Sequence, residues 1–525
     1  MASKKSFFRF IFGGGWASDF GPNMNASPSQ GGDIIVPFLV DAENVFYELD
    51  GGPHKVGGTT KWNSSAIGSG AEIMGFFDYW RQGTSGSYAH QVVAHVGTVI
   101  AADDGAGTFS NIRTGRTDNA IPSYTTFNDK LIIGSTSTSD NPQSYDGTTC
   151  ADLAGSPPRF AFSAAHKNRL WAAGNVALPS RLYYCAQLDQ TDWSGATAGS
   201  IDIDPDDGDR ITGLVSHKND LWVFKGPYFG SIHRIVGSSP TGSDSFARQP
   251  FIRGMGSVNH NSIFRFRDDV GFVWSDGTVH SLNATAAYGD FNEASLSRAI
   301  QKYVHSHATY SALNRCWAAT LPHDSIVLIT IPIDASTFCN QILMMDYSRG
   351  NDIRWAQWPA FDANCVGRLI DTTASNIPRL LIGGQDGYIR RVNVANRSID
   401  TSGAYTAKVT LPYTDLGSAF LMKTLSGVGV GVAPKGAYNL TFKWQCDTNT
   451  QQSATVAQSG GTALDTFVLD TDVLGGALFS TRFIEEASGE FRALQFQATQ
   501  TGANQDMELH TLHAAVEIGS VSMEN

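Results

Sequence analysis

The sequence predicts an all-β protein in which a β-propeller of about seven blades precedes a β-sandwich. The first observation is a repeat in which a polar turn leads into an aromatic or aliphatic strand: His166–Trp171 reads HKNRLW, and His217–Trp222 reads HKNDLW. The two copies lie roughly 50 residues apart, and a recurring hairpin unit of roughly 35–50 residues is typical of a β-propeller or another radial β array. The second observation is a series of Asp-Gly pairs. The third is a change near residue 398, where the repeat of aromatic turns stops and longer alternating strands begin.

Looser copies of the repeat extend through the middle of the chain, at Phe127–Ile132, Arg267–Phe272 and Leu313–Trp317. Gly accepts positive φ, so Asp-Gly pairs between apolar runs indicate hairpin turns. They occur at Asp146-Gly147, Asp207-Gly208, Asp276-Gly277 and Asp386-Gly387, and a further Asp50-Gly51 turn follows the entry strands. The recurrence predicts a meander of antiparallel strands.

Residues 33–397 are therefore predicted to form the propeller with its entry strands, which read as Asp33–Val36 and Asn44–Tyr47. One helix is expected at Asn292–His305, where apolar residues follow helical spacing. The candidate blades centre on Ile73–Ile112, Ile121–Leu153, Phe160–Trp193, Ile211–Val236, Val258–Leu282, Thr309–Trp358 and Cys365–Val392.

The ends of the chain differ from this middle. Residues 1–32 combine Gly, Pro, Asn and Ser with scattered aromatic residues, which predicts an irregular arm that becomes ordered by docking on a neighbouring subunit. Residues 398–525 contain longer alternating strands, such as Ala407–Leu411, Tyr438–Trp444 and Ala493–Ala498, which predicts a C-terminal β-sandwich. The polar stretch Thr448–Thr462 is expected to be an exposed loop.

The composition limits the possible functions. The chain has 525 residues, a net charge of −12 and no basic stripe, which argues against a protein that grips nucleic acid through its phosphates. Six Cys lie far apart and form no CxxC pair, which indicates free thiols in a reducing compartment rather than a zinc site or a disulfide scaffold. No run of 18 apolar residues occurs, so no membrane span is expected.

The acidic run Asp202–Asp209 is the strongest candidate for a cation site, because alternating carboxylates can converge on calcium. Its Gly stands in the seventh position, no Glu stands in the twelfth, and Pro205 interrupts the run. A strand that ends in an Asp-Gly hairpin turn is the competing interpretation.

Other chemical motifs are missing from the sequence. His166 and His217 occupy the same place in the repeat, which favours a structural role for both, and His305 and His307 have no third ligand in sequence. We find no HExxH, no nucleophile elbow and no phosphate loop. The sequence thus supplies no catalytic, cofactor-binding or metal-ligating residue, and we expect no enzymatic activity.

One segment resembles a known protein family. The strand Ile201–Ile203, the turn Asp207–Asp209, the sequence Ile211–Leu214 and the strand Asn219–Lys225 are similar to a recurrent blade of tail propeller proteins in tailed bacteriophages. The opening, with Gly13–Gly15 and Ala42–Val45, and the C-terminal motifs Thr410–Pro412 and Met422–Leu425 also resemble this family of tail tubular or DNA-stabilisation proteins of short-tailed phages.

The resemblance implies a structural virion protein of the tail nozzle or hub, assembled in the host cytoplasm. Its copies are expected to form a sixfold ring, a hexamer, below the head-to-tail connector (adaptor) protein. Double-stranded DNA would pass transiently through the ring during genome ejection, and fibres or spikes would attach outside. A lumen lined by acidic and neutral polar side chains is expected, with loops such as Asp202–Asp209 as contributors. The alternative is a secreted β-propeller that binds or hydrolyses carbohydrate.

Overall fold

The structure, a computed structural model, describes residues 5–19, 34–35, 38–47, 52–82, 88–283, 285, 295–350, 352–371, 377–393, 397–400, 402–417, 420–433, 438–447, 449–458 and 480–518. Within these ranges the chain is all-β and its helices are short. The 3-10 helices span Ile67–Gly70, Arg298–Ile300 and Tyr310–Arg315, and helix α1 spans Gln301–His307.

The helix predicted at Asn292–His305 is wrong in its position. Residues 292–294 lie outside the described ranges, and Ser295 forms a β-bridge with His280, so its backbone is extended. Helical structure begins only at Arg298 and continues to His307. The apolar spacing therefore identified a helix but not its start.

The first strands of the chain are short and belong to several different sheets. They are β1 (Lys5–Ile11), β2 (Ile34–Ile35), β3 (Asp41–Glu43), β4 (Val45–Tyr47), β5 (Pro53–Lys55) and β6 (Gly58–Lys61). β4 and β5 pair as a two-stranded sheet, in agreement with the predicted entry strand at Asn44–Tyr47.

Seven antiparallel sheets follow one another through the middle of the chain, at the positions of the seven candidate blades. Sheet 1 contains β7 (Ile73–Gln82), β8 (Tyr88–Val96), β9 (Val99–Asp103) and β10 (Phe109–Arg113); sheet 2 contains β11 (Pro122–Phe127), β12 (Lys130–Ser135), β13 (Gln143–Tyr145) and β14 (Cys150–Asp152). Sheet 3 contains β15 (Phe162–His166), β16 (Arg169–Ala173), β17 (Arg181–Tyr184) and β18 (Gly199–Asp202); sheet 4 contains β19 (Arg210–His217), β20 (Asp220–Gly226), β21 (Ser231–Val236) and β22 (Ala247–Arg253).

The last three sheets are less regular. Sheet 5 contains β23 (Phe264–Phe266), β24 (Asp269–Val273) and β25 (Val279–Ser281). Sheet 6 contains β26 (Trp317–Leu321), β27 (Ile326–Ile331), β28 (Gln341–Arg349) and β29 (Asp352–Trp358), and sheet 7 contains β30 (Cys365–Asp371), β31 (Ile377–Gly383) and β32 (Ile389–Asn393).

The repeated polar turns join the first two strands of sheets 2, 3 and 4. Lys167 and Asn168 have φ angles of 48° and 58°, and Asn128 and Asp129 have φ angles of 47° and 58°. Two consecutive residues with positive φ form the hairpin turn whose twist matches that of the flanking strands. The repeat in the sequence is therefore a repeat of turn geometry.

The two Trp residues of the repeat lie between neighbouring sheets. Trp171 is fully buried among residues of sheets 3 and 4, with its ring 4.9 Å from that of Phe246. Trp222 is also buried, and it packs with Val270 and Phe272 of sheet 5.

The first and seventh sheets are neighbours in space. β6 pairs antiparallel with β32, so a strand from the N-terminal side is the outermost strand of sheet 7. The first strands of the sheets also contact one another: β7 contacts β11 and β30, β15 contacts β11 and β19, and β26 contacts β23 and β30. None of the sheets formed by the described residues closes on itself.

Two further sheets are formed by the C-terminal region, with strands β33 (Ala407–Thr410), β34 (Lys423–Val432), β35 (Asn439–Cys446), β36 (Gln452–Ala457), β37 (Ser480–Ile484), β38 (Gly489–Phe491), β39 (Leu494–Gln500) and β40 (Leu509–Ile518). One sheet has the order β2-β1-β40-β34-β37, and the other continues from sheet 6 through β3, β33, β39, β35 and β36. Phe10 and Phe496 pack edge to face between the two sheets, at 5.7 Å. The sheet continues across the predicted boundary at residue 398.

Two expectations for the chain ends are wrong. The predicted irregular arm 1–32 contains strand β1, which pairs along its whole length with β40, and Phe8, Phe10, Phe12 and Trp16 are buried against the same chain. The arm has no partner strand nearby in sequence, but one exists at the other end of the chain. The predicted loop Thr448–Thr462 contains β36, because its residues pair antiparallel with the edge of β35.

Candidate functional site

The acidic turn between β18 and β19 is occupied by a lysine side chain. Lys225 of β20 has a fully buried ammonium group whose Nζ donates to the carbonyl oxygens of Ile203 and Asp204 and to Asp207 Oδ1, each at 2.7 Å. These are the oxygen atoms that a calcium ion would need. The strand of the competing interpretation is present, but the hairpin is wrong, because this turn connects β18 of sheet 3 to β19 of sheet 4 and the two strands do not pair. The cation in this turn is a side chain of the protein.

Two other carboxylates of the turn, those of Asp202 and Asp204, also have cationic partners. Arg181 Nε lies 2.7 Å from Asp202 Oδ1, and Arg248 forms an ion pair with Asp204. The interaction with Arg181 holds the pKa of Asp202 below its usual value. Three of the five carboxylates are thus paired with cationic side chains, which the sequence pattern of carboxylates alone does not indicate.

Asp209, the last carboxylate of the run, holds a loop in place. Its two oxygens accept the backbone N–H groups of Tyr228, Phe229 and Gly230 at 2.9, 2.9 and 2.6 Å. The side chains of Tyr228 and Phe229 are 75% and 70% exposed at the tip of this loop. A buried carboxylate therefore fixes the backbone beneath two exposed aromatic rings.

The repeated histidines form one contact that the sequence does not predict. His166 Nδ1 lies 2.8 Å from Ser216 Oγ, across sheets 3 and 4, beside a cavity of about 470 Å³. Burial lowers the pKa of His166 to about 4, so the ring is neutral and a weak base near neutral pH. The contact satisfies two buried polar groups and is poorly suited to activating a serine nucleophile.

The space between the first strands of the sheets holds two cavities separated by the segment that precedes β23. A cavity of about 420 Å³, cavity A, is lined by residues that include Pro122, Phe162 and Arg210. A cavity of about 590 Å³, cavity B, is lined by residues that include Trp80 and Arg368. His260 and Asn261 line both cavities and therefore lie between them.

This segment, residues 258–263, is bonded to three sheets and is called the plug below. Asn261 Nδ2 donates to the Pro122 carbonyl at 2.9 Å, and the Asn261 carbonyl accepts the N–H of Ala318 at 2.9 Å. The Leu214 N–H donates to His260 Nδ1 at 3.3 Å. Burial lowers the pKa of His260 to about 4, which keeps Nδ1 available as an acceptor. The plug thus ties together sheets 2, 4 and 6.

Asp78 is the carboxylate among the residues that line these two cavities. Its Oδ2 accepts the indole N–H of Trp80 at 2.8 Å and the Ile370 N–H at 3.1 Å, and its Oδ1 lies 3.1 Å from His90 Nδ1. Hydrolysis of a glycoside by the usual mechanism needs two carboxyl groups on either side of the bond. The lining of cavity B therefore does not favour the hydrolytic form of the carbohydrate alternative.

The cluster of Asp78, Trp80 and His90 was missed by the sequence analysis. Asp78 and Trp80 are two residues apart on β7 and thus share a face, and His90 of β8 is the register partner of Trp80. The alternation on β7 could have identified the first pair. The position of His90 depends on strand register, which the sequence does not reveal.

The described residues were also compared with the requirements of thiol, metal and membrane-spanning sites. All six cysteines are buried with free thiols, and burial raises the pKa of Cys150 to about 11. No group of three or more His, Cys, Asp or Glu residues within the described ranges could hold a metal ion. In the same part of the chain, no helix has the length and apolar character needed to cross a membrane.

No protein-family model and no curated protein matches the chain. Similar solved structures include Raptor of Chaetomium thermophilum, with 11% identity, a TM-score of 0.39 and coverage of 64% of this chain and 30% of the Raptor chain. The N-terminal domain of Nup159 has 10% identity, a TM-score of 0.26 and coverage of 57% and 72%. An exo-β-1,3-galactanase of Phanerochaete chrysosporium in complex with galactose has 9% identity, a TM-score of 0.26 and coverage of 88% and 100%. Likenesses at this level assign neither a fold nor a function to the chain.

Proposed function

We propose that the seven middle sheets form a seven-bladed β-propeller. The proposal is supported by three features: the sheets follow one another in sequence, β6 completes sheet 7, and β30 of sheet 7 contacts β7 of sheet 1. Radial repetition of small antiparallel sheets leaves only short, protected edges. The plug then lies on the propeller axis.

We further propose that the protein is a structural component of a virion tail, the nozzle or hub ring that continues the DNA channel below the head-to-tail connector. The observation that carries the assembly proposal is a pair of separate apolar patches on one chain. The end patch consists of Val176, Leu178, Tyr228 and Phe229, which are 67%, 41%, 75% and 70% exposed. Its two loops are linked through Asp209, whose carbonyl accepts from Ser180 Oγ and whose carboxylate accepts the N–H groups of Tyr228 and Phe229.

The second patch lies on the C-terminal sheet and is called the outer-sheet patch. Phe7 of β1 is 63% exposed and Phe483 of β37 is 76% exposed, one on each side of β40 and β34. Between them the strands present Ala515, Gly427 and Gly429 at the matching register positions. The row of Phe7 continues through Ala515 to Gly427, whereas the row of Phe483 continues through Gly429 to His513 and Arg9. The surface between the two aromatic rings therefore combines small residues with an imidazole and a guanidinium group.

Two different patches on one chain suit a head-to-tail assembly. Exposed apolar clusters mark interaction surfaces in soluble proteins. An isologous dimer uses a single self-complementary patch, whereas a cyclic ring needs two different patches that meet at each subunit contact. A ring subunit is therefore the assembly that uses both the end patch and the outer-sheet patch.

The plug and the net charge bear on the route of the DNA. Because the plug fills the space between sheets 2, 4 and 6, the proposed conduit is the lumen between copies of the chain and not the propeller axis. A chain with a net charge of −12 would repel phosphates and allow a duplex to slide. We propose that the duplex passes without tight binding.

The oligomeric state of the purified protein tests the ring. We expect the wild-type chain at micromolar concentration to form a closed ring in negative-stain images and a matching large species in light scattering. The double variant Tyr228→Ser and Phe229→Ser should dissociate into smaller species, because it removes the aromatic part of the end patch. Tyr88→Ser is the matched control, since Tyr88 is 71% exposed and belongs to neither patch.

Three results would contradict the proposal. A wild-type chain that remains monomeric at tens of micromolar, or a ring that the double variant leaves intact, would exclude the end patch as a subunit contact. Submicromolar binding of duplex DNA at physiological salt would contradict the proposed free passage, because tight binding requires many paired phosphates.

A further inference from the structure

Cavity B contains an aromatic side chain whose orientation is fixed from one side. The Trp80 indole stacks on His90 at 4.6 Å with an interplanar angle of 12°, and its N–H donates to Asp78. The side chains of His90 and Asp78 are only 8% and 9% exposed, whereas Trp80 is half-buried and lines the cavity. His90 thus covers one face of the ring and Asp78 fixes its N–H edge, so the opposite face is the one that a ligand in the cavity can contact.

The charged residues that line cavity B, apart from Asp78, are two arginines. Arg265 is exposed and donates to the Ser216 carbonyl, and Arg368 is exposed and has no ion pair with any described residue. The oxygens of Asp78 lie against Trp80, His90 and Ile370, and no ion pair joins Asp78 to either arginine among the described residues. Two guanidinium charges therefore face one carboxylate charge in the lining. The cavity therefore combines a fixed aromatic surface with unneutralised positive charge in a chain whose net charge is −12.

We propose that cavity B binds a carboxylated sugar, a hexuronate unit of an acidic oligosaccharide. The flat C–H face of the pyranose ring would pack on Trp80, and its carboxylate would pair with Arg368 and Arg265. Guanidinium groups recognise carboxylates through two parallel hydrogen bonds. Thr320 lines the same cavity, and its Oγ1 is buried and has no hydrogen-bond partner among the described residues, so a rotation of this side chain would bring the hydroxyl to a sugar.

The size and depth of the cavity agree with this ligand. A volume of about 590 Å³ lies within the range of roughly 300–1,000 Å³ that is usual for small-ligand sites. The plug forms its floor at His260 and Asn261, so the cavity is closed at one end. A closed end suits a short, terminal oligosaccharide better than a continuous polymer. This inference concerns binding alone and is independent of the proposed tail role.

Calorimetric titration of the full-length chain with tetragalacturonate tests the site. We expect saturable binding that Trp80→Ala abolishes, while Arg368→Gln weakens it by about tenfold, the effect of losing roughly 1.4 kcal/mol of charge-assisted bonding. The methyl ester of the same oligosaccharide keeps the ring and removes the charge. It should bind weakly to the wild-type chain and equally weakly to Arg368→Gln.

Controls separate the site from general charge effects. Arg253→Gln removes an arginine whose side chain is 79% exposed on β22, outside the cavity, and should leave binding unchanged. Thermal unfolding of each variant shows whether the fold is retained. The variant His90→Gln removes the ring that stacks on Trp80 and leaves the indole in place. His90→Gln should weaken both the acid and the ester.

Three outcomes would overturn the proposal. They are no binding of tetragalacturonate at millimolar concentration, binding that folded Trp80→Ala retains, and equal binding of the acid and its ester. A short oligothymidylate or an oligoglutamate peptide that binds more tightly than tetragalacturonate, and does so through Trp80, would assign the cavity to a different ligand.

Discussion

The seven middle sheets and the C-terminal sheets are built from different kinds of strand pairing. In sheets 1–4 each strand pairs with the next strand in the sequence, across short turns such as Lys167-Asn168. In the C-terminal region the strand β1 lies between β2 and β40, and β3 joins β29 to β33. The middle is therefore a series of local hairpins, whereas the C-terminal sheets depend on pairing between distant parts of the chain.

This difference indicates which substitutions should lower the stability of each region. A local hairpin closes a short loop, so its pairing has a small entropic cost, whereas a distant strand must be held by its buried side chains. β1 has Phe8 and Phe10 on its buried face and Phe7 on its exposed face. Substitutions on the two faces of β1 should thus differ sharply, and substitutions in the middle should act mainly between sheets.

The largest effect is expected for Phe10→Ala. Phe10 is 1% exposed and packs on Phe496 of the facing sheet, so truncation should lower the free energy of unfolding by about 3–5 kcal/mol. Phe7→Ala lies on the same strand but on the exposed face and should change stability by about 0.5 kcal/mol or less. Chemical denaturation measures both. Equal effects of the two variants would mean that β1 does not contribute through its buried face.

Trp171→Ala should have an effect of similar or slightly smaller size in the middle of the chain. The ring is fully buried between sheets 3 and 4, and a buried aromatic residue replaced by Ala costs about 3–5 kcal/mol. Hydrogen exchange should show the loss of protection in sheets 3 and 4 and leave β1 and β40 protected. Loss of protection in β1 and β40 as well would show that the two regions unfold as one unit.

Lys225→Met should have a moderate effect within sheets 3 and 4. The substitution leaves the carbonyl oxygens of Ile203 and Asp204 without their donor, which we expect to cost about 1–3 kcal/mol. Lys218→Met is the matched control, because its ion pair with Asp268 is exposed and worth about 0–1 kcal/mol. A wild-type chain that is stabilised by added calcium through this turn would contradict the assignment of Lys225 as its cation.

Mild acid should act on the middle of the chain first, and its effect should grow as the pH falls. Burial lowers the pKa of His95, His166, His233, His260 and His280 from 6.5 to about 4, and all five lie in the middle region. The unfolded chain binds protons near pH 6.5 and the folded chain only near pH 4. Their contribution to stability is therefore complete above pH 6.5 and is lost as the pH falls toward 4.

Denaturation curves at pH 7.5 and pH 5 measure this loss, with hydrogen exchange to locate it. We expect the protection of sheets 1–5 to fall before that of β34 and β40. His260→Asn should reduce the dependence on pH, since it removes one buried imidazole from the plug. An unfolding free energy that is constant over this interval would exclude the five histidines as the source of acid sensitivity.

The sequence predicts the part of the fold in which strands pair locally. Turn residues with positive φ leave a direct signal, so the polar turns and Asp-Gly pairs identify hairpins of sheets 2, 3, 4, 5 and 7. The looser copy at Leu313–Trp317 is not such a turn, because Tyr310–Arg315 forms a 3-10 helix. No comparable signal links β1 to β40, and residues 1–32 were therefore interpreted as an irregular arm. The candidate site is limited in the same way. The sequence shows the carboxylates of Asp202–Asp209, but it does not show that Lys225, which lies on another strand, forms an ion pair within this turn.

The pairing of β1 with β40 has a consequence for synthesis of the protein in the cell. Some 500 residues separate the two strands, so at about 5–20 residues per second the ribosome needs roughly half a minute or more between them. Throughout that interval the aromatic strand Lys5–Ile11 is without its antiparallel partner, while the middle sheets can already fold behind it. The step that joins β1 to β40 therefore comes late in translation or after it, and a chaperone that binds short aromatic segments would have its target at the first strand to emerge.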